Sequence, residues 1–143
     1  MILPDVNLLI YAYNQSDPRF KTASNWFQNI MNGQKSVCFC WETINGFIRI
    51  VTNKAAVPYP YTLGETFQLV DEWLAFPNTI FLKPSNDHFE LIKKLALDTN
   101  AAGTLYPDAV IAAYAISYNA TIASCDRDFR LFDGIKLIDP LAI

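Results

Sequence analysis

Short apolar, strand-like runs alternate along this chain with stretches of helical period, and that alternation leaves few folds open. Residues 2–3, 36–40, 79–82, 121–124 and 136–138 read as strands. Between them, residues 7–13 read as one helix. A second is opened by Asp17 and Pro18, carries Phe20, Ala23, Trp26, Phe27 and Ile30 on one face, and is closed by Gly33. A third runs from Glu42 through Ile44, Phe47, Ile48 and Val51, and Thr62 with Glu65 forms a capping box for a fourth that reaches about Phe76. Ser85 or Asn86 begins a fifth, with Phe89, Ile92 and Leu95 inward, and Pro107 opens a sixth. That last helix is apolar almost all round over residues 109–116, the pattern of a buried helix. Strands alternating with helices imply right-handed crossovers and a mostly parallel sheet with helices on both faces. The expectation is a three-layer α/β/α fold with a central sheet of about five strands, built as a single domain over residues 1–143, with no repeat or linker.

Composition narrows the function. Hydrophobic residues make up 52% of the chain and aromatics 14%, too apolar for disorder, yet no apolar run approaches a membrane span of about 18 residues. No basic segment followed by an apolar one stands at the start, so no signal peptide is read and the expected compartment is the cytoplasm. Cys38, Cys40 and Cys125 have neither zinc nor redox spacing and read as small core residues. The only histidine, His88, falls on a mostly polar helix as a surface or boundary residue, which moves histidine-centred catalysis down the list. A formal charge of −3 does not announce a nucleic-acid binder unless metal neutralises a local acidic site.

The acids point to such a site. Most of the 14 fall on polar faces, caps or turns, but Asp5, Glu42 and Asp126 each follow a strand directly, and Asp108 lies in the first turn of the buried helix. Singly, each can be a helix cap worth about 0.5 to 2 kcal/mol. Jointly, acids converging on the carboxyl edge of a parallel sheet raise each other's pKa values unless a cation is shared. Oxygen ligands without histidine or thiolate suit Mg²⁺, with Mn²⁺ able to substitute, and such a site fits phosphoryl chemistry.

Four blocks in order carry a family resemblance: residues 3–9 (LPDVNLL), 46–53 (GFIRIVTN), 108–113 (DAVIAA) and 126–129 (DRDF). Over essentially its full length the chain resembles a PIN-domain ribonuclease of the VapC toxin type. The resemblance implies a PIN-like fold and a metal-dependent endoribonuclease, usually dimeric, that acts on RNA and is held inactive by a cognate antitoxin. By position, Asp5, Asp108 and Asp126 match the metal ligands. Asp128 matches the next acid of the last motif, as a ligand or as a support for its neighbour. Asn7 can hold a carboxylate or a water, or cap the first helix. Many members carry an acid where this chain has Gly46; here the available acid is Glu42, one helical turn earlier on the same face. The mechanism implied is in-line attack of a metal-activated water on an RNA phosphodiester, with Glu42 orienting or deprotonating the water. Arg127 and Arg130 stand ready to contact phosphate, against an ordinary role as surface charge. Tyr59 and Tyr61, in a proline-containing loop, are candidates for a dimer surface.

Two other readings compete. A phosphatase of the haloacid-dehalogenase type also places an aspartate after the first strand, but its second acid, two residues on, is Asn7 here and cannot protonate a leaving group. A catalytically inactive PIN-like module that binds protein or RNA would read the Gly46 departure as lost activity.

Overall fold

The structure is a computed structural model and describes residues 1–142. Five strands, β1 (Ile2–Pro4), β2 (Val37–Phe39), β3 (Thr79–Phe81), β4 (Thr121–Ala123) and β5 (Lys136–Ile138), form one sheet in the order β3-β2-β1-β4-β5. Every pairing is parallel, with Ile2 opposite both Val37 and Thr121 and Phe39 opposite Phe81. The first strand is therefore central. The chain adds strands on one side of it and then returns to the other, and the crevice where the order reverses lies at the carboxyl ends of β1 and β4.

Strand alternation divides the core between two faces. Val37 and Phe39 point to a layer built from α1 (Val6–Tyr13), α2 (Phe20–Met31), α3 (Trp41–Val51) and α4 (Leu63–Ala75). Cys38, Cys40, Leu3 and Ile122 face α5 (His88–Thr99) and α6 (Tyr106–Tyr118) instead. The first layer is aromatic: Trp73 stacks on Phe39 at 5.5 Å between ring centroids and leans on Phe47 at 4.6 Å. Its indole N–H donates to the Tyr13 hydroxyl at 2.9 Å, so the one polar group of that ring is paired. The second layer is built of small residues, with Ala109, Ala112 and Ala113 wholly buried, which lets α6 lie close against the sheet. Cys38 and Cys40 are core residues as expected, both fully buried.

Three local expectations change. Asp17 does not cap α2, which starts only at Phe20; its carboxylate instead accepts from the Arg19 backbone N–H at 2.8 Å and from the Arg19 guanidinium. α5 starts at His88 rather than at Ser85 or Asn86, because the Ser85 hydroxyl donates to the Asp87 carboxylate and closes a turn ahead of it. Tyr61 is packed rather than offered, donating its hydroxyl to the Tyr13 carbonyl at 2.8 Å, while Tyr59 stands out at 85% exposure. No helix among the described residues is long and apolar enough to cross a membrane.

Candidate active site

β1 delivers Asp5 to the switch point. Its backbone N–H still pairs with the Ala123 carbonyl at 2.9 Å, so the residue is fixed by the sheet itself. Although it occupies the N-cap position of α1, its side chain makes no capping bond. Oδ2 accepts instead from the Ser124 hydroxyl at 2.9 Å, and the Ser124 oxygen accepts from the Asp126 N–H at 2.9 Å. Asp126 in turn accepts the Asp128 N–H at 2.9 Å, at the start of a 3-10 turn over Arg127–Leu131. One side-chain hydrogen bond thus ties the loop after β4 to the end of β1, and two more order the loop itself around the buried Ser124.

Asp108, half-buried in the first turn of α6, closes the group. Carboxylate oxygens of Asp108, Asp126 and Asp128 lie within 4.8 Å of one another. Burial, then the charges of Asp5, Asp126 and Asp128, push the Asp108 carboxyl up to about 7. Asp5 is also raised, chiefly by burial and further by Asp126, with the Ser124 hydroxyl and the Val6 amide pulling it back. Among the described residues the only ion pairs are Arg19–Asp17 and Lys93–Glu90, so no side-chain cation pairs with this group. A crowded, all-oxygen donor set with its charge uncompensated fits a divalent cation of the Mg²⁺ or Mn²⁺ kind.

Asp108 also lines a cleft of about 230 Å³ together with Asp5, Asn7, Glu42, Gly46 and Arg49. Glu42, exposed in the first turn of α3, accepts from the Tyr114 hydroxyl of α6 at 3.3 Å. Tyr114 is itself backed by His88, ring centroids 4.4 Å apart. Glu42 and Gly46 lie on one helical face, as their spacing requires, and a Cβ at Gly46 would meet the Val6 methyls at 3.1 and 3.2 Å. Val6 thus fills the place of a side chain there, and the acid of α3 stands one turn earlier.

The structure places the sequence candidates as follows. Asp108, Asp126 and Asp128 meet within ligand reach. Asp5 adjoins them through Ser124, while Glu42 and Asn7 enter from the cleft. Asn7 lies inside α1, so it does not cap that helix. Arg127 and Arg130 line an adjoining pocket with Asp126 and Cys125. His88 is half-buried and outside the acid group, the boundary position expected of it. Sequence reading missed Ser124 and Arg49. Arg49 had a legible signal, three residues beyond Gly46 and seven beyond Glu42 on one face; Ser124, a serine ending a strand, had none.

A family description, PIN domain, matches residues 2–135. Ribonuclease VapC33 of Mycobacterium tuberculosis is 35% identical over 141 residues, covering 99% of both chains, and Ribonuclease VapC37 of the same species is 29% identical over 143 residues, covering 100% of this chain and 99% of that one. Among solved structures, the VapBC2 complex of Rickettsia felis bound to a DNA fragment from its promoter superposes with a TM-score of 0.70 at 16% identity, covering 96% of this chain and 98% of the other. VapC20 of M. tuberculosis, a toxin that cleaves the Sarcin-Ricin loop, gives 0.69 at 13% identity over 95% and 99%. At such identities the structural likeness bears on the fold alone.

Proposed function

The chain belongs to the PIN-domain family, and from that premise we propose that it is a metal-dependent endoribonuclease, the toxin of a toxin–antitoxin pair. The observation that carries the reading is the group of acids at the switch point, where burial and then the neighbouring carboxylates push Asp108 to about 7, with no paired cation among the described residues. Family membership sets aside the phosphatase reading. The relatives of similar length are named ribonucleases, and solved neighbours are toxin–antitoxin complexes, which supports RNA as substrate and a cognate antitoxin as partner. We place the protein in the cytoplasm and expect a homodimer.

Asp108, Asp126 and Asp128 have the reach to hold the cation, with Asp5 as the fourth acid, and Mg²⁺ is the ion proposed, Mn²⁺ its substitute. When bound, the ion polarises the phosphodiester and favours ionisation of the attacking water. Ser124 fixes Asp5 by donating to Oδ2. Across the cleft, Glu42 orients the attacking water and takes its proton, with Tyr114 holding Oε1 at 3.3 Å. Asn7 supports a carboxylate or a water from the floor of the cleft. Arg49 in the cleft, with Arg127 and Arg130 in the pocket beside Asp126, meet the phosphates of the strand.

The test is incubation of antitoxin-free protein with total cellular RNA in Mg²⁺ or Mn²⁺, with EDTA and Asp108→Asn as paired controls and the new RNA ends mapped. Discrete cleavage lost in both controls is the expected result. Cleavage that persists in Asp108→Asn sinks the carboxylate mechanism, and metal binding without turnover returns the chain to the class of inactive binding modules.

A further inference from the structure

The chain contains only four arginines, Arg19, Arg49, Arg127 and Arg130, and three of them line the clefts beside the acids. Arg49 lines the cleft with Asp5 and Asp108, while Arg127 and Arg130 line the pocket beside Asp126. The lysines line neither. Arg19 is the one arginine that the ribonuclease reading leaves without a task, and its setting differs from that of the other three.

Arg19 is built into place. Its guanidinium carbon lies 3.6 Å from the centroid of the Tyr11 ring, and Nε and one terminal nitrogen donate to the two Asp17 oxygens at 2.8 and 2.9 Å. Yet its side chain keeps 49% of its surface exposed. Tyr11 is four residues beyond Asn7, the next position along the row of α1 that leads out of the acid cleft. The Tyr11–Arg19 pair therefore sits one helical turn beyond Asn7, beside the acid cleft.

What Arg19 offers there is a flat face. Pairing with Asp17 occupies one hydrogen-bonding edge and balances its charge, which weakens it as a phosphate anchor. The guanidinium is held by Tyr11 against one face and Asp17 along one edge, while half of the side chain stays open to a ligand. Planar guanidinium groups and aromatic rings are the surfaces on which unpaired RNA bases stack, and a fixed platform loses little entropy when a base arrives. We propose that Tyr11 and Arg19 form a nucleobase subsite that stacks a base of the single-stranded RNA flanking the scissile phosphodiester. This rests on the ribonuclease reading for the identity of the strand. The subsite contributes to binding and to the choice of cleavage position, and the acids contribute the chemistry.

The test uses the full chain, a labelled single-stranded oligoribonucleotide spanning a mapped cut, and copies of it with one abasic ribose at each flanking position. Arg19→Ala, Arg19→Lys and Tyr11→Leu are compared with the wild type for kcat, KM and salt dependence. Arg19→Lys retains the charge and can still pair with Asp17 but has no planar face, so it guards against a merely unfolded variant. Expected are a KM raised about 10-fold in both Arg19 variants with kcat held within about 2-fold. One abasic position costs the wild type a similar factor and costs Arg19→Lys nothing further. Wild-type KM in Arg19→Lys, or an abasic penalty that is the same in wild type and variant, overturns the subsite. If the wild type cleaves no RNA, the ribonuclease reading fails by itself, and the same oligonucleotides measured by binding decide the subsite: a base-dependent affinity lost in Arg19→Lys upholds it, and its absence overturns it.

Discussion

The aromatic layer and the acid edge, only a few residues apart along several elements, are built on opposite terms. Under α1 to α4, Tyr13, Phe27, Phe39, Phe47 and Trp73 meet at ring distances of 4.6 to 6.5 Å, and the indole N–H and the Tyr61 hydroxyl both find partners. Burial there removes apolar area from water and leaves no polar debt. At the carboxyl edge the end of β1, the turn after β4 and the start of α6 hold Asp5, Asp126, Asp128 and Asp108 close together with like charges unopposed. The first region stabilises the fold. The second opposes it until a cation arrives, and a site that functions through a bound ion has this character.

Breaking the stabilising region should give the largest effect. Trp73→Ala removes a side chain only 2% exposed, together with its bond to Tyr13, and should cost about 3–5 kcal/mol of stability by denaturant titration. Activity per folded molecule should survive, since Trp73 lines none of the site. Asp108→Asn should do the reverse, lowering RNA cleavage by about 100- to 1,000-fold, about 3–4 kcal/mol of barrier, while the metal-free protein melts no lower and even somewhat higher than wild type.

A pH series sharpens the same contrast. Asp108 holds its proton up to about 7 in the fold, against an ordinary value of 3.8. Between about pH 4 and 7 the folded metal-free chain therefore binds more protons than the unfolded one, so its stability falls as pH rises through that window and levels off above 7. The melting temperature of the metal-free chain should decline from pH 5 to pH 7.5. Asp108→Asn should flatten the decline, and Mg²⁺ or Mn²⁺ should raise the wild-type value more at pH 7.5 than at pH 5. A metal effect equal at both values would separate the cation from these acids. The smallest expected effect is that of Tyr114→Phe, which removes one long hydrogen bond to exposed Glu42 and should lower kcat about 2- to 5-fold with KM unchanged.

Much of this arrangement was legible in the sequence, for a reason that lies in periodicity. Strand runs and helix faces repeat locally, so the element order, the parallel sheet and the positions of Asp5, Asp108 and Asp126 at element ends could be read one segment at a time. The capping box at Thr62 and Glu65 was likewise local and is present. Asp17 shows where local reading fails: the aspartate and proline ahead of an amphipathic helix suit a cap, yet the carboxylate is drawn to the Arg19 guanidinium and the helix opens later. Asp128 sits in a 3-10 turn, which has no periodic signal, and its place within ligand reach of Asp108 was visible only as a motif resemblance.

By itself the sequence determined which residue types arrive at the carboxyl edge, because each strand's end fixes the residue that follows it. Tertiary structure decided what those residues do to one another. It set Ser124 between Asp5 and Asp126, filled the place beside Gly46 with Val6, and brought Asp108, Glu42 and Arg49 to one cleft. It also brought arginines from two separate stretches of chain to the clefts beside the acids. Charges and hydrogen bonds act through space, and distances between residues more than a hundred positions apart are set by the sheet and its crossovers, not by any pattern along the chain.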